Sequence, residues 1–148
     1  MRLSAAALVG LLALLVTACG GGGEERLSEE DFQTQANAIC AKYDKQLKAI
    51  GSPESIDEIP DLVDQALVIL NKEIDEIRAL NPPEELQDDF DKMLAASDRT
   101  KAAAADLSEA AKAGDQAAVQ KALEEGNAAS NEADDLAANL GLRDCNSG

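Results

Sequence analysis

From Phe32 onward, apolar residues recur at Ala36, Ile39, Tyr43, Leu47 and Ile50, in steps of four, three, four, four and three. That spacing puts all six on one face of an α-helix and scatters them over both faces of a strand, so it specifies a helix with one buried side. The flanks agree. Ser28-Glu29-Glu30-Asp31 offers a capping hydroxyl followed by acidic residues, which the positive end of the helix dipole favours. Asp31 stands where a capping box usually carries Glu. Gly51-Ser52-Pro53 stops the helix.

The same punctuation divides the rest of the chain. A second helix begins near Asp57 or Pro60 and presents Leu62, Val63, Ala66, Leu70, Ile74 and Ile77. Leu67, Val68 and Ile69 broaden that face, so this helix is expected to be the most buried. Leu80-Asn81-Pro82-Pro83 ends it. Pro83 then opens a third helix with Glu84 and Glu85 in its first turn, and Leu86, Phe90, Met93, Leu94 and Leu107 on its buried side. Gly114 breaks that helix and Asp115 caps a fourth, which carries Val119, Ala122, Leu123, Ala129, Ala133, Leu136 and Leu140. Gly126 and Asn127 interrupt its pattern.

Composition points the same way. Only Phe32, Phe90 and Tyr43 are aromatic, and alanine, leucine and acidic residues lose little entropy in a helix. Long helices on short connections prefer antiparallel neighbours. The expected fold is therefore all-α, an up-down antiparallel four-helix bundle. Its second hairpin, rich in alanines such as Ala102 to Ala105, is expected to be the looser half, because alanine buries little area.

The amino terminus reads as an export signal. Arg2 supplies the positive region, and Ala5 to Val16 form an apolar run too short to span a bilayer comfortably. Val16-Thr17-Ala18-Cys19 resembles the lipobox of bacterial lipoproteins: aliphatic, small or hydroxyl, Gly or Ala, then Cys. The resemblance implies that the Cys19 thiol takes a diacylglycerol and that the chain is cleaved after Ala18. Two acyl chains anchor stably where one holds marginally. Gly20 to Gly23 and the acidic residues after them form a flexible tether of about 26 Å at full extension for eight residues. The domain plan is 1–18 signal peptide, 19–27 lipidated cysteine and tether, and 28–148 helical bundle. The chain is expected at the cell membrane, lipid-anchored on the extracytoplasmic side.

Cys40 and Cys145 remain, and in an oxidising compartment two leftover cysteines usually pair. Cys40 lies about 18 Å along the first helix. The tail from Gly141 to Cys145 runs back about 16 Å from the fourth helix's end if extended, with Leu142 placed to plug the bundle end. A disulfide from the tail to helix one is expected. Beyond these spacings, ANAICAKYDKQL, ALNPPEELQDDFDKM and GLRDC are similar to segments of small exported helical proteins of high-GC bacteria. That resemblance covers about residues 28 to 145. It implies the helical fold and the disulfide, and it brings no catalytic residue.

Charge and missing residue types exclude much else. Net charge is -16, which repels nucleic acid and anionic headgroups, so no nucleic-acid partner is expected. Histidine is absent, which removes hydrolytic triads and histidine metal sites. No Gly-rich phosphate loop follows a strand, so no cofactor and no catalytic or metal-ligating residue is assigned. Glu84, Glu85, Asp88, Asp89 and Asp91 cluster near the third helix's start, and Asp134 adjoins Asp135. These read as solvated faces, since none fits a calcium-loop template. The functional expectation is a non-catalytic envelope module, structural or binding a protein, a peptide or a small apolar ligand between helices. Weak divalent-cation binding by the acidic surface and a carboxylate-dependent enzyme are the alternatives.

Overall fold

The computed structural model describes residues 25–146. Four helices make up the fold: α1 (Glu29–Ile50), α2 (Ile59–Arg78), α3 (Gln87–Ala113) and α4 (Gln116–Asn139). Single 3-10 turns at Ile56–Glu58, Glu84–Leu86 and Arg143–Cys145 lead into α2, into α3 and out of α4. The helices pack as an up-down bundle in chain order, with α3 lying along α4 most extensively. Among the described residues, no Cα of α1 comes within 8 Å of one in α4. The ring of helices is left open on that side, and the C-terminal tail crosses the gap.

Local chemistry sets the boundaries. The Ser28 Oγ accepts from the Asp31 backbone N–H at 3.1 Å, and α1 stops at Gly51, whose φ of 84° suits glycine. Pro60 stands in the first turn of α2, where its missing N–H leaves no bond unmade. Gly114 closes α3 in a left-handed conformation, and the Asp115 carboxylate accepts from Ala117 and Ala118 to cap α4. The first turn after Pro83 is 3-10, and α3 starts only at Gln87. Gly126 and Asn127 leave α4 unbroken. A Cβ at Gly126 would stand 3.4 Å from that of Ala103, an ordinary contact across the α3–α4 seam.

The core gathers at one end. Phe32, Ala36 and Cys40 of α1 meet Ile74 and Ile77 of α2. Phe90, Met93 and Leu94 of α3 join them, with Ala137 and Leu140 from the end of α4. Phe32 and Phe90 pack edge to face, centroids 5.4 Å apart. Leu142 of the tail is fully buried in this cluster, and Cys145 forms a disulfide with Cys40 across a Cα–Cα distance of 5.0 Å. Arg26 and Leu27, just before α1, dock here too: Leu27 N–H donates to Asn81 O at 2.8 Å, and Arg26 to Pro82 O at 2.8 Å.

Two sequence expectations are corrected. α2 is not the most buried helix: only Pro60, Ile74 and Ile77 are buried, and Val68 is 56% exposed. Its first half packs against no helix from the α4 side: among the described residues no Cα of α4 comes within 8 Å of one in α2, and Leu123 faces Leu62 and Val63 across a recess. The alanine-rich hairpin is also the most closely packed pair, because Ala103, Ala110, Ala122 and Ala129 let two backbones approach where large side chains would hold them apart.

Candidate functional site

The gap between α1 and α4 continues inward as a cavity of about 380 Å³, midway along the bundle. All four helices reach it. Cys40 and Leu47 come from α1, Leu70, Ile74 and Ile77 from α2, Met93 and Leu94 from α3, and Ala133 and Ala137 from α4. The tail adds Cys145, so the disulfide forms part of the wall. A cavity of this size lies at the lower end of the roughly 300–1,000 Å³ typical of small-molecule sites.

Polar groups in the wall are mostly engaged. The Ser97 and Thr100 hydroxyls donate back to Met93 O at 2.9 Å and Ala96 O at 3.2 Å within α3. Lys48 pairs with Asp44 at 2.8 Å. Lys101 reaches Asp98 and Asn71, each at 3.1 Å. Glu73 differs. It is half-buried in the wall, and among the described residues it pairs with no lysine or arginine. Burial, reinforced by the negative charge of Asp44, pushes its carboxyl up to about 7.

Glu76, one turn further along α2, shows the contrast. Lys42 holds it at 2.7 Å and the Tyr43 hydroxyl donates to it at 2.6 Å. Both bonds lower its pKa, that of Lys42 the more. Near the other end of α2, Asp64 takes a bond from buried Ser108 and one from Lys112, each 3.0 Å, and these hold its carboxyl low as well.

A second recess of about 420 Å³ lies beyond the cavity, toward the α3–α4 turn. Ile50, Ile59, Leu62, Val63, Leu107 and Leu123 line it, and among the described residues no charged side chain does. Leu47 belongs to both walls, so the two spaces adjoin.

The sequence-assigned residues fall as follows. Cys40 and Cys145 are bonded in the cavity wall. Cys19 and Gly20 to Gly23 lie outside the described residues. The carboxylates near the start of α3 are largely exposed and satisfied locally: Asp89 pairs with Lys92 at 2.9 Å, and Asp91 accepts from Gln87 at 2.9 Å. Asp134 and Asp135 do not act together, since Asp134 lines the cavity and Asp135 is exposed. Among the described residues no three Cys, Asp or Glu side chains converge as a metal site, and no helix is long and apolar enough to cross a membrane.

Sequence reasoning passed over Glu73. A signal was present: Glu73 sits three residues after Leu70 and four before Ile77, on the apolar stripe of α2, where a carboxylate is out of place. Comparison with protein-family models, curated proteins and solved structures finds no match to this chain.

Proposed function

We propose that this chain is a lipid-anchored, non-catalytic binding module that holds a small, largely apolar ligand between its two hairpins on the extracytoplasmic side of the membrane. One observation carries the reading: a 380 Å³ cavity with an apolar lining drawn from all four helices and the tail. The lipobox-like Val16-Thr17-Ala18-Cys19 supports the anchor, and Gly20 to Gly23 the tether. On this reading the disulfide keeps one wall in place, because the tail is joined to α1 beside the cavity.

The test uses protein extracted from its native membrane. The mature N-terminal peptide is expected to begin at diacylated Cys19. An unmodified cysteine overturns the anchor. Organic extraction of the purified protein is expected to release a small molecule that a cavity-filling Ser97→Phe variant, folded by circular dichroism, does not carry. Identical extracts from both forms overturn the binding reading.

One observation favours catalysis by carboxylates as a second reading. Glu73 keeps its proton up to about pH 7 beside Asp44, the arrangement of an acid paired with a base. It is the weaker reading, because Asp44 is tied to Lys48. It requires that the extract hold a converted compound, and that Glu73→Gln stop the conversion.

A further inference from the structure

The charge of the cavity wall names the chemistry of its occupant. Two ammonium groups line it, Lys48 and Lys101, and each is already paired with a carboxylate. Four carboxylates line it, Asp44, Glu73, Asp134 and Asp144. Of these, Asp44 is matched by Lys48, whereas Glu73 meets no cation among the described residues. Asp144 is exposed to solvent, whereas Glu73 is half-buried. A half-buried carboxylate without a partner is unfavourable, and α2 places this one between Leu70 and Ile74, where an apolar residue would pack. Two other carboxylates of α2, Glu76 and Asp64, each have a lysine of their own.

We infer that the cavity takes a single-chain amphiphile with one cationic head, its apolar body against Ile74, Met93 and Leu94 and its ammonium against Glu73. The inference rests on the binding reading above and adds the class of ligand. Size limits the body, since about 380 Å³ lies near the bottom of the range of small-molecule sites. That suits one short chain, and the adjoining apolar recess leaves room for the end of a longer one. A net charge of -16 over the whole chain attracts a cation toward the opening. The head displaces the proton that burial holds on Glu73, so binding weakens as the pH falls below 7.

Three probes with one tail separate the possibilities: octyltrimethylammonium, octyl glucoside and octyl sulfate, each below its micelle concentration. They are titrated by calorimetry into the full chain carrying Cys19→Ser, so that no acyl chain competes, with the disulfide formed. At pH 8 the cation is expected to bind at least tenfold more tightly than the glucoside, and the sulfate more weakly than both. At pH 5 the cation's advantage should shrink by about tenfold. Glu73→Gln should bring the cation to the glucoside's affinity and leave the glucoside unchanged. Equal binding of cation and glucoside overturns this inference and leaves the binding reading standing. A cation preference that survives Glu73→Gln assigns the effect to general surface charge and also overturns it. If no probe binds, both readings fall.

Discussion

The two ends of the bundle are built on different terms. At one end, Phe32, Phe90, Leu140 and Leu142 are at most 2% exposed, and tail, disulfide and the residues before α1 all converge. At the other, Leu62 and Val63 are only partly covered, and Leu123 is 45% exposed. The helices are the same four, and their apolar stripes run the full length. What differs is the neighbour. Large side chains at the first end fill the space between α1 and α4 that the backbones leave. Toward the second, α3 and α4 carry alanine and draw together, so α1 and α2 face Leu123 of α4 only across an unfilled recess. An apolar stripe makes a core only where something of the right size stands opposite.

Matched truncations test that contrast most strongly. Phe90→Ala should cost about 3–5 kcal/mol, because it removes a fully buried ring and its edge-to-face partner. Leu62→Ala, of similar chemistry on the open side, should cost about 1 kcal/mol or less, since its site is already partly hydrated. Urea unfolding of both variants gives the comparison, and equal losses would mean the two ends are equivalent.

The disulfide comes next. Cys145→Ala releases a crosslink spanning 105 residues, and loss of such a bridge should cost about 2–5 kcal/mol. Because Leu142 and Cys145 belong to the closed end, hydrogen exchange should rise first around Ala36 and Ala137. Loss of protection confined to the α3–α4 turn would contradict the division.

Glu73 sits between the two regions and gives a smaller, pH-dependent effect. Its folded pKa of about 7 lies above the ordinary 4.5. The folded state therefore binds the proton more tightly than the unfolded chain. Stability from this group is intact below 4.5, declines as the pH rises, and is fully lost above 7. Glu73→Gln should match the parent near pH 4 and exceed it near pH 8 by about 1–2 kcal/mol, a value discounted for the residue's partial exposure. Thermal unfolding at the two pH values reads this directly, and a variant less stable at pH 8 would reverse the assignment.

Much of the closed end could be read along the chain. The steps from Phe32 to Ile50, the Ser28 cap, Gly51 and the Gly114-Asp115 break all mark local events, decided by residues within a turn of one another. The disulfide was legible because the amino terminus reads as an export signal, and in an oxidising compartment two spare cysteines usually pair. The open side was not legible. Periodicity says which face of α2 is apolar and is silent on whether α4 reaches it. Alanines at 103, 110, 122 and 129 count as weak apolar positions in a one-dimensional pattern, whereas in space they decide which helices touch. The dense acidic clusters drew attention through their number and proved largely solvated. The informative carboxylate was the solitary one, Glu73, and density is the wrong measure for finding it.

Two glycines carry the contrast down to a single methyl group. Gly141 has a φ of 77°, and a Cβ there would run into the Gln33 side chain, whose amide donates to Leu140 O at 3.1 Å. Gly141→Ala should therefore cost about 1–2 kcal/mol, combining left-handed strain with a displaced hydrogen bond. Gly126 has ordinary helical geometry, and its new Cβ would meet only that of Ala103, at 3.4 Å. Gly126→Ala should leave stability unchanged or raise it by up to about 1 kcal/mol, because alanine restricts the unfolded chain at a site able to hold it. Denaturant midpoints of the two variants should move in opposite directions or differ clearly in size. If Gly126→Ala is the more damaging, the α3–α4 seam has no room for one methyl group, and the contrast between the two glycines is reversed.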